Sequence, residues 1–183
     1  MFFQRLLIAA AVSATALSAQ AAPVPYQTGT ATGTFNVTLS VKAKCTISTT
    51  NIADLALGTH DTTDTGINGT TSFDVLCTKK TPFKIGLRPT NVTSDTGVGT
   101  LKSATDATNN PDTIIYQLRQ ASGTSAAAWG NTLDTNTVSN SGATNANGST
   151  ALKIDVYATV ADGALAAVLP DDYKDTVQVT VWY

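Results

Sequence analysis

Apolar and polar residues alternate in one stretch after another of this chain, and this pattern limits what the chain can fold into. The first such stretch, residues 34–41, places Phe35, Val37, Leu39 and Val41 on one face of an extended backbone. Further strands are predicted over residues 42–48, 71–78, 82–87, 113–120, 152–160 and 173–183. Short strands separated by turn residues predict an all-β fold, a β-sandwich of the immunoglobulin-like kind with about six to seven strands.

The composition agrees with an all-β domain that has many turns. All 13 acidic residues are Asp, and Thr, Ser, Asn, Gly and Val are abundant, whereas strong helix formers are scarce after the first 20 residues. Residues 88–111 and 131–150 are predicted to be long exposed loops because they are almost entirely polar. A single helical turn is predicted over residues 161–169. Trp129 is predicted to be a buried anchor, and Tyr173 resembles the corner tyrosine of such sandwiches.

The first 21 residues have the features of a secretory signal peptide. An early Arg5 precedes an apolar run over residues 6–17, and small residues precede the predicted cut after Ala21. Cleavage leaves 162 residues, enough for one domain. No later segment approaches the roughly 20 apolar residues of a membrane anchor. The net charge of −2 and the pI near 5.1 provide no basic surface for nucleic acid.

Export bears on the two cysteines, Cys45 and Cys77. In an oxidising compartment such a pair usually closes, so a disulfide is predicted. In the chain-entropy model its loop contributes about 3.5 to 4 kcal/mol. The alternative, a metal or redox pair, would need closer spacing or added histidine ligands, and the only histidine, His60, lies in a polar loop.

Catalysis finds little support in the sequence, and no cofactor is predicted. The chain has no Gly-x-Ser-x-Gly elbow, no His-Glu-x-x-His and no phosphate-binding glycine loop. Asp171, Asp172 and Asp175 form the densest group of carboxylates, which is interpreted as a solvated turn. Another hypothesis is a secreted, self-contained sandwich that binds carbohydrate through Trp129 or the long polar loops.

A family resemblance extends over the whole mature chain. The ending from Tyr173 to Tyr183, which reads YKDTVQVTVWY, resembles the closing motif of the spore coat protein U family, which includes the pilins of archaic chaperone–usher pili. Other motifs of this family occur in the same order: Cys45-Thr46-Ile47, Leu55-Ala56-Leu57-Gly58, Val75-Leu76-Cys77-Thr78, Tyr116-Gln117-Leu118 and Trp129-Gly130. The resemblance is most specific at the last strand and at the cysteine pair.

The resemblance implies an incomplete sandwich that lacks its final strand and is completed by donor-strand complementation. Residues 22–41 would then be a donor segment, with Phe35, Val37, Leu39 and Val41 as its apolar face, and residues 42–183 the incomplete pilin domain. The last strand would form one wall of the acceptor groove through Val177, Val179, Val181 and Tyr183.

The partners implied by the resemblance are a periplasmic chaperone, an outer-membrane usher and further pilin subunits. They imply export through the periplasm to the surface of a Gram-negative bacterium, as a fibre subunit that serves attachment or biofilm formation. Two alternatives stay open: residues 34–41 are an ordinary first strand of a self-contained domain, or the chain is a spore or cell coat protein.

Overall fold

A computed structural model describes residues 29–48, 52–92, 94–142 and 149–183. The predicted signal peptide, residues 1–21, lies outside the described residues. The chain divides into two units, one ending at Leu39 and the other running Ser40–Tyr183. In the first unit, residues 29–39 have no secondary structure.

The second unit is built entirely from strands. The described residues form no helix. The strands are β1 Cys45–Ile47, β2 Asn68–Cys77, β3 Phe83–Pro89, β4 Val98–Ser103, β5 Thr113–Arg119, β6 Val138–Asn140, β7 Leu152–Val160, β8 Tyr173–Lys174 and β9 Val177–Trp182. The all-β prediction is confirmed.

Two antiparallel sheets make up the sandwich. The larger has the strand order β1-β2-β7-β5-β4-β8, and the smaller has the order β6-β3-β9. β2 and β7 pair from Asn68 opposite Thr159 to Val75 opposite Leu152, which forms the longest ladder. β9 pairs with β3 from Val177 opposite Pro89 to Trp182 opposite Lys84.

The alternation predicted from the sequence correctly identifies the buried faces of the central strands. The core side chains that come from these faces are Phe73, Val75, Cys77, Phe83, Ile85, Leu87, Ile114, Tyr116, Leu118, Val156, Ala158 and Val160. Trp129 is 1% exposed, and its indole Nε1 donates a hydrogen bond to the carbonyl oxygen of Ile85 at 2.9 Å. The predicted anchor is confirmed, and it fastens the 128–131 segment to β3.

The two long loops were predicted incorrectly, because each contains a strand. β4 lies within residues 88–111, and β6 lies within residues 131–150. β4 has a polar sequence with only two large apolar residues, so its alternation is weak. Its Gly99 is required where it packs, because a Cβ there would lie 2.1 Å from the Tyr116 ring on β5.

Three other element predictions need correction. The last predicted strand, residues 173–183, is divided into β8 and β9 by Asp175 and Thr176. The strand predicted over residues 42–48 is regular only over the three residues of β1, and residues 161–169 form successive turns rather than a helical turn. The alternating stretch 34–41 forms no strand in this chain.

Candidate functional site: an open groove beside the last strand

A groove of about 1210 Å³ opens into the core of the second unit. It lies between the two sheets, since its lining includes Phe73 of β2 and Leu118 of β5 from one sheet and Val177 of β9 from the other. Protein interiors have few voids larger than a water molecule, whose share of liquid volume is about 30 Å³. This groove is far larger than such a void.

The last strand forms one wall of this groove. Val177 and Val179 line it, and Val181 packs against the core without lining it. Tyr183 lies beyond the end of β9 and is 61% exposed. Among the described residues β9 pairs only with β3, so its other edge has unpaired backbone N–H and C=O groups. The sandwich is therefore incomplete at the edge where a further strand would pair with β9.

The facing wall is residues 52–63, an irregular segment that precedes β2. Thr71 Oγ1 donates to the carbonyl oxygen of Ala53 at 2.6 Å, which ties the segment to β2. A Cβ on Gly69 would lie 2.6 Å from the carbonyl oxygen of Ala56, so glycine permits this close approach. Leu55 and Leu57 are half-buried and line the groove.

His60 fixes the turn that ends this wall. Its Nδ1 lies 3.0 Å from Asp64 Oδ2, and its Nε2 lies 2.7 Å from the carbonyl oxygen of Leu57. Both partners are acceptors, so only the protonated imidazolium satisfies both contacts. The Leu57 carbonyl and then Asp64 raise the pKa of His60, and His60 lowers the pKa of Asp64. Gly58, at φ +101°, provides the left-handed residue that turns the ring back.

Asp175 causes the break between β8 and β9. Its Oδ1 accepts hydrogen bonds from the backbone N–H of Asn91 at 3.0 Å and of Thr176 at 2.7 Å. Its Oδ2 accepts the Tyr116 hydroxyl at 3.1 Å. Burial, and then the neighbouring carboxylate, raise the pKa of Tyr116, so this hydroxyl stays protonated as a donor. Asp175 thus accepts hydrogen bonds from one adjacent and two distant donors at the point where β8 ends and β9 begins.

A second carboxylate fastens the groove margin ahead of β8. Asp171 accepts hydrogen bonds from Ser103 Oγ at 2.5 Å and from Asn110 Nδ2 at 2.9 Å, and a further one from Thr105. These bonds, Ser103 first, hold the pKa of Asp171 well below its usual range. Asp171 and Asp175 are thus structural acceptors within the fold.

Tyr173 makes the hydrogen bond expected of a corner tyrosine. Its hydroxyl donates to the carbonyl oxygen of Leu169, four residues upstream, at 2.8 Å. The hydroxyl oxygen of Tyr173 also accepts a hydrogen bond from Asn110 Nδ2 at 2.9 Å. The resemblance of Tyr173 to the corner tyrosine of immunoglobulin-like sandwiches is therefore confirmed.

The disulfide prediction is confirmed as well. Cys45 and Cys77 are bonded, and they face each other in the β1–β2 ladder. The bond fixes the short β1 to the end of the long β2.

The sequence profile of the Spore Coat Protein U domain family matches residues 31–180. The chain belongs to this family. The match includes both walls of the groove, the cysteine pair and the alternating stretch 34–41. No curated protein matches the sequence.

Two solved structures are similar to this Spore Coat Protein U domain chain at low identity. One is the CsuC–CsuE pre-assembly complex of a chaperone and a tip adhesion subunit, from the archaic chaperone–usher Csu pili of Acinetobacter baumannii. It has a TM-score of 0.49 and 20% identity, over 78% of this chain and 40% of that one.

The other is a chaperone–tip adhesin complex described as vital for synergistic activation of CFA/I fimbriae biogenesis. It has a TM-score of 0.37 and 18% identity, over 75% of this chain and 40% of that one. The chain therefore spans less than half the length of either structure.

The predicted donor residues of this family member lie in the irregular N-terminal stretch. Phe35, Val37 and Leu39 are 87–88% exposed, and Val41 is 75% exposed. Such an exposed apolar face gains no hydrophobic stabilisation until a partner covers it. Their role as a donor stays a prediction.

Trp129 is not available as a sugar-binding residue in the carbohydrate hypothesis. Trp129 was predicted as a candidate sugar-binding surface, but its burial leaves no ring face on which a sugar could stack. Among the described residues no group of three or more His, Cys, Asp or Glu could hold a metal ion. Within the same ranges, no helix is long and apolar enough to span a bilayer.

Most of the groove was missed at the level of sequence, where only the last strand was assigned to it. Residues 55–58 of the facing wall match a motif of the family, but the sequence alone assigns them no part of the groove. Leu165 and Val168, which also line the groove, lie in the turns that were predicted as a helical turn. The signal available for them was their apolar character beside polar turn residues.

Proposed function

We propose that this protein is a structural subunit of a surface fibre assembled by the chaperone–usher route. In this proposal residues 22–41 of one copy form the missing strand in the groove of the next copy. The observation that carries the proposal is the open apolar groove beside the unpaired edge of β9. Family membership supports it, and so does the exposed alternating segment of the same chain.

The inserted strand would gain two kinds of interaction. Its backbone would pair with the unpaired edge of β9, and its alternate side chains would enter the groove. Full burial of Phe35, Val37, Leu39 and Val41 at about 1.5 to 3 kcal/mol each gives roughly 6 to 12 kcal/mol before the cost of ordering the segment. That is comparable to the whole stability of an ordinary domain, about 5 to 15 kcal/mol.

Head-to-tail insertion does not close on itself, so it propagates into a fibre. The empty groove is an aggregation hazard before assembly, because it combines exposed core with an unpaired strand edge. We infer that a periplasmic chaperone provides the first strand, and that an outer-membrane usher is where the next subunit replaces it. The fibre would stand on the surface of a Gram-negative cell and serve attachment or biofilm formation.

The decisive experiment provides the missing strand within one chain. Residues 30–41 are appended after Tyr183 through a flexible linker, and the fusion is compared with the mature protein. Filling the groove should give a soluble monomer with a markedly higher Tm that does not need a chaperone. The matched control is the same fusion with Val37→Asp in the appended copy, which should not be stabilised because the carboxylate would be buried unpaired.

A fusion that melts at the temperature of the mature protein would contradict the proposal. So would equal stabilisation by both fusions, because the effect would then come from the extension itself rather than from an apolar face in the groove.

A further inference from the structure

We propose that His60 is a positioning residue of the groove, which fixes the wall facing β9 when its ring is protonated and frees that wall when its ring is neutral. Binding of a strand in the groove then depends on pH and is tighter in mild acid. This inference rests on the proposed function and adds to it a control on how firmly an inserted strand is held.

His60 is the one side chain in this sequence that ordinarily titrates between about pH 5 and pH 8. The sequence contains one histidine and no glutamate, and both cysteines are bonded. Aspartate ordinarily titrates at about pH 4, and lysine and tyrosine at about pH 10. The side chain that responds to neutral pH therefore lies on the groove itself, because His60 is part of its lining.

The ring of His60 connects the two ends of one turn, residues 57–64. Its Nε2 lies 2.7 Å from the carbonyl oxygen of Leu57, and its Nδ1 lies 3.0 Å from Asp64 Oδ2. A neutral imidazole has a single N–H, so it must give up one of these two acceptors. Loss of either contact disconnects residue 57 from residue 64. The Leu57 side chain lines the groove, so this change reaches the surface that an inserted strand would contact.

The charged groups around the groove leave the protonation of this ring to its two direct partners. The contact with the Leu57 carbonyl and then Asp64 raise the pKa of His60, and among the described residues no other charge contributes to this rise. Asp64 forms no ion pair with a described lysine or arginine. The other charged side chains of the lining are Asp54 and Asp61 on the same wall and Asp171, Asp172, Lys174 and Asp175 on the opposite margin.

An inserted strand needs the wall that His60 fixes. The strand would lie between β9 and residues 52–63, so its burial requires this wall to hold its position. A wall that is already fixed costs less to order on binding than a loose one. The coupling is reciprocal: if protonation of His60 tightens strand binding, strand binding must raise the pKa of His60.

The raised pKa of His60 gives the direction of the effect. Because it lies above the ordinary value of 6.5, both contacts are fully present below about pH 6.5. They are lost as the pH rises through the folded value. A strand should therefore be held most firmly below about pH 6.5 and released faster near pH 8.

Release of a bound peptide tests this inference. The full mature chain contains Val37→Asp in its own N-terminal segment, so that copies do not fill one another's grooves. It is loaded with a rhodamine-labelled peptide of residues 30–41 with blocked termini. This peptide has no titratable side chain, so any pH dependence comes from the protein. We expect release into excess unlabelled peptide to be about three- to fivefold faster at pH 8 than at pH 6, the size expected for one exposed charged contact.

Three further variants assign the pH dependence to the ring. His60→Gln is neutral at every pH, so its release should be fast and equal at pH 6 and pH 8. Asp64→Asn removes the carboxylate that raises the pKa of His60, so the change in release rate should move to lower pH. Asp61→Asn is the matched control, because its side chain takes no part in the two contacts, and it should keep the native pH profile.

Equal release at pH 6 and pH 8 from a chain with native His60 would overturn the inference and leave the proposed function standing. A pH dependence that persists in His60→Gln would also overturn it, because another group would then be responsible. NMR titration provides an independent measurement: a His60 pKa that does not rise when the peptide binds would mean that the ring and the groove are not coupled.

The proposed function fails by a different result. If the peptide binds at neither pH, or if a peptide with Val37→Asp binds as well as the native one, the groove does not accept the apolar face. The proposed function and the inference would then fail together.

Discussion

Residues 34–41 and residues 177–183 have nearly the same pattern and different structures. Val177, Val179 and Val181 lie in β9 and are half-buried, whereas Phe35, Val37 and Leu39 lie in an irregular stretch and are almost fully exposed. β propensity does not explain the difference, because both stretches are rich in β-branched and aromatic residues. β9 has a neighbour, β3, whose backbone groups it pairs with along six residues.

The difference shows what an alternating pattern specifies. It fixes which face a strand would bury, but a strand also needs an edge to pair with and a core to cover. The N-terminal stretch satisfies the first condition by itself and has no strand partner among the described residues. Its apolar face is therefore left exposed by the described residues of this chain.

A charge on the inward face of β9 should have the largest effect on the fold. Val179→Asp would put a carboxylate against the core and into the groove, at a cost on the order of 3 kcal/mol or more. We expect loss of the folded domain or a large fall in its urea midpoint, and failure of chaperone capture. The control is Gln178→Asp on the exposed side of the same strand, which should change the unfolding free energy by only about 0.5 kcal/mol.

Normal accumulation and normal capture of Val179→Asp would mean that β9 does not form a wall of a functional groove. A fall caused equally by Gln178→Asp would show that any charge disrupts the strand, whichever face it occupies.

Removing residues 22–41 should have a far smaller effect on the fold. Phe35, Val37, Leu39 and Val41 in this segment are exposed, so the unfolding free energy of the remaining domain should change by about 0.5 kcal/mol or less. The shortened subunit should still be captured by chaperone, but it should not enter the groove of another copy. Urea unfolding measures the first effect, and a polymerisation assay with an intact partner measures the second.

Collapse of the shortened protein would favour the alternative in which residues 34–41 are an integral first strand. Normal polymerisation of the shortened protein would show that another segment fills the groove.

The smallest expected effect concerns the wall that faces β9, residues 52–63. The side chain of His60, rather than strand pairing, holds the backbone at the end of this wall. The pKa of His60 is raised above its ordinary value of 6.5, so the contacts to Asp64 and to the Leu57 carbonyl are fully present below about pH 6.5. They are lost as the pH rises through the folded value. NMR titration should show a raised pKa for His60, and this pKa should be lower in Asp64→Asn. Amide hydrogen exchange, corrected for its intrinsic pH dependence, should show more frequent opening of residues 57–64 at pH 8 than at pH 6. A His60 pKa at its ordinary value would contradict these two hydrogen bonds.

Sequence alone identified the central strands because burial on one side leaves a period of two. Phe73, Val75 and Cys77 on β2 show it, and so do Ile114, Tyr116 and Leu118 on β5. Trp129 and the disulfide were predicted for equally local reasons, namely the size of the indole and the oxidising compartment.

The missed features depend on contacts between distant residues. β4 has little alternation, and its close packing depends on Gly99 lying under the ring of Tyr116. The break at Asp175 depends on the N–H of Asn91 and the hydroxyl of Tyr116, both far away in sequence. The wall formed by residues 52–63 contains no strand, and side-chain hydrogen bonds such as that of Thr71 hold it in place.

The position of the disulfide has a mechanical consequence in a fibre of the proposed kind. Tension from the preceding subunit would enter the domain after Val41 and reach Cys45 four residues later. The covalent bond to Cys77 would carry it directly to the C-terminal end of β2 and onward along the chain after residue 77. Residues 46–76, which include the groove wall at 52–63, would bear no load along the chain, so pulling on one end of a subunit would not peel away the wall that holds the next.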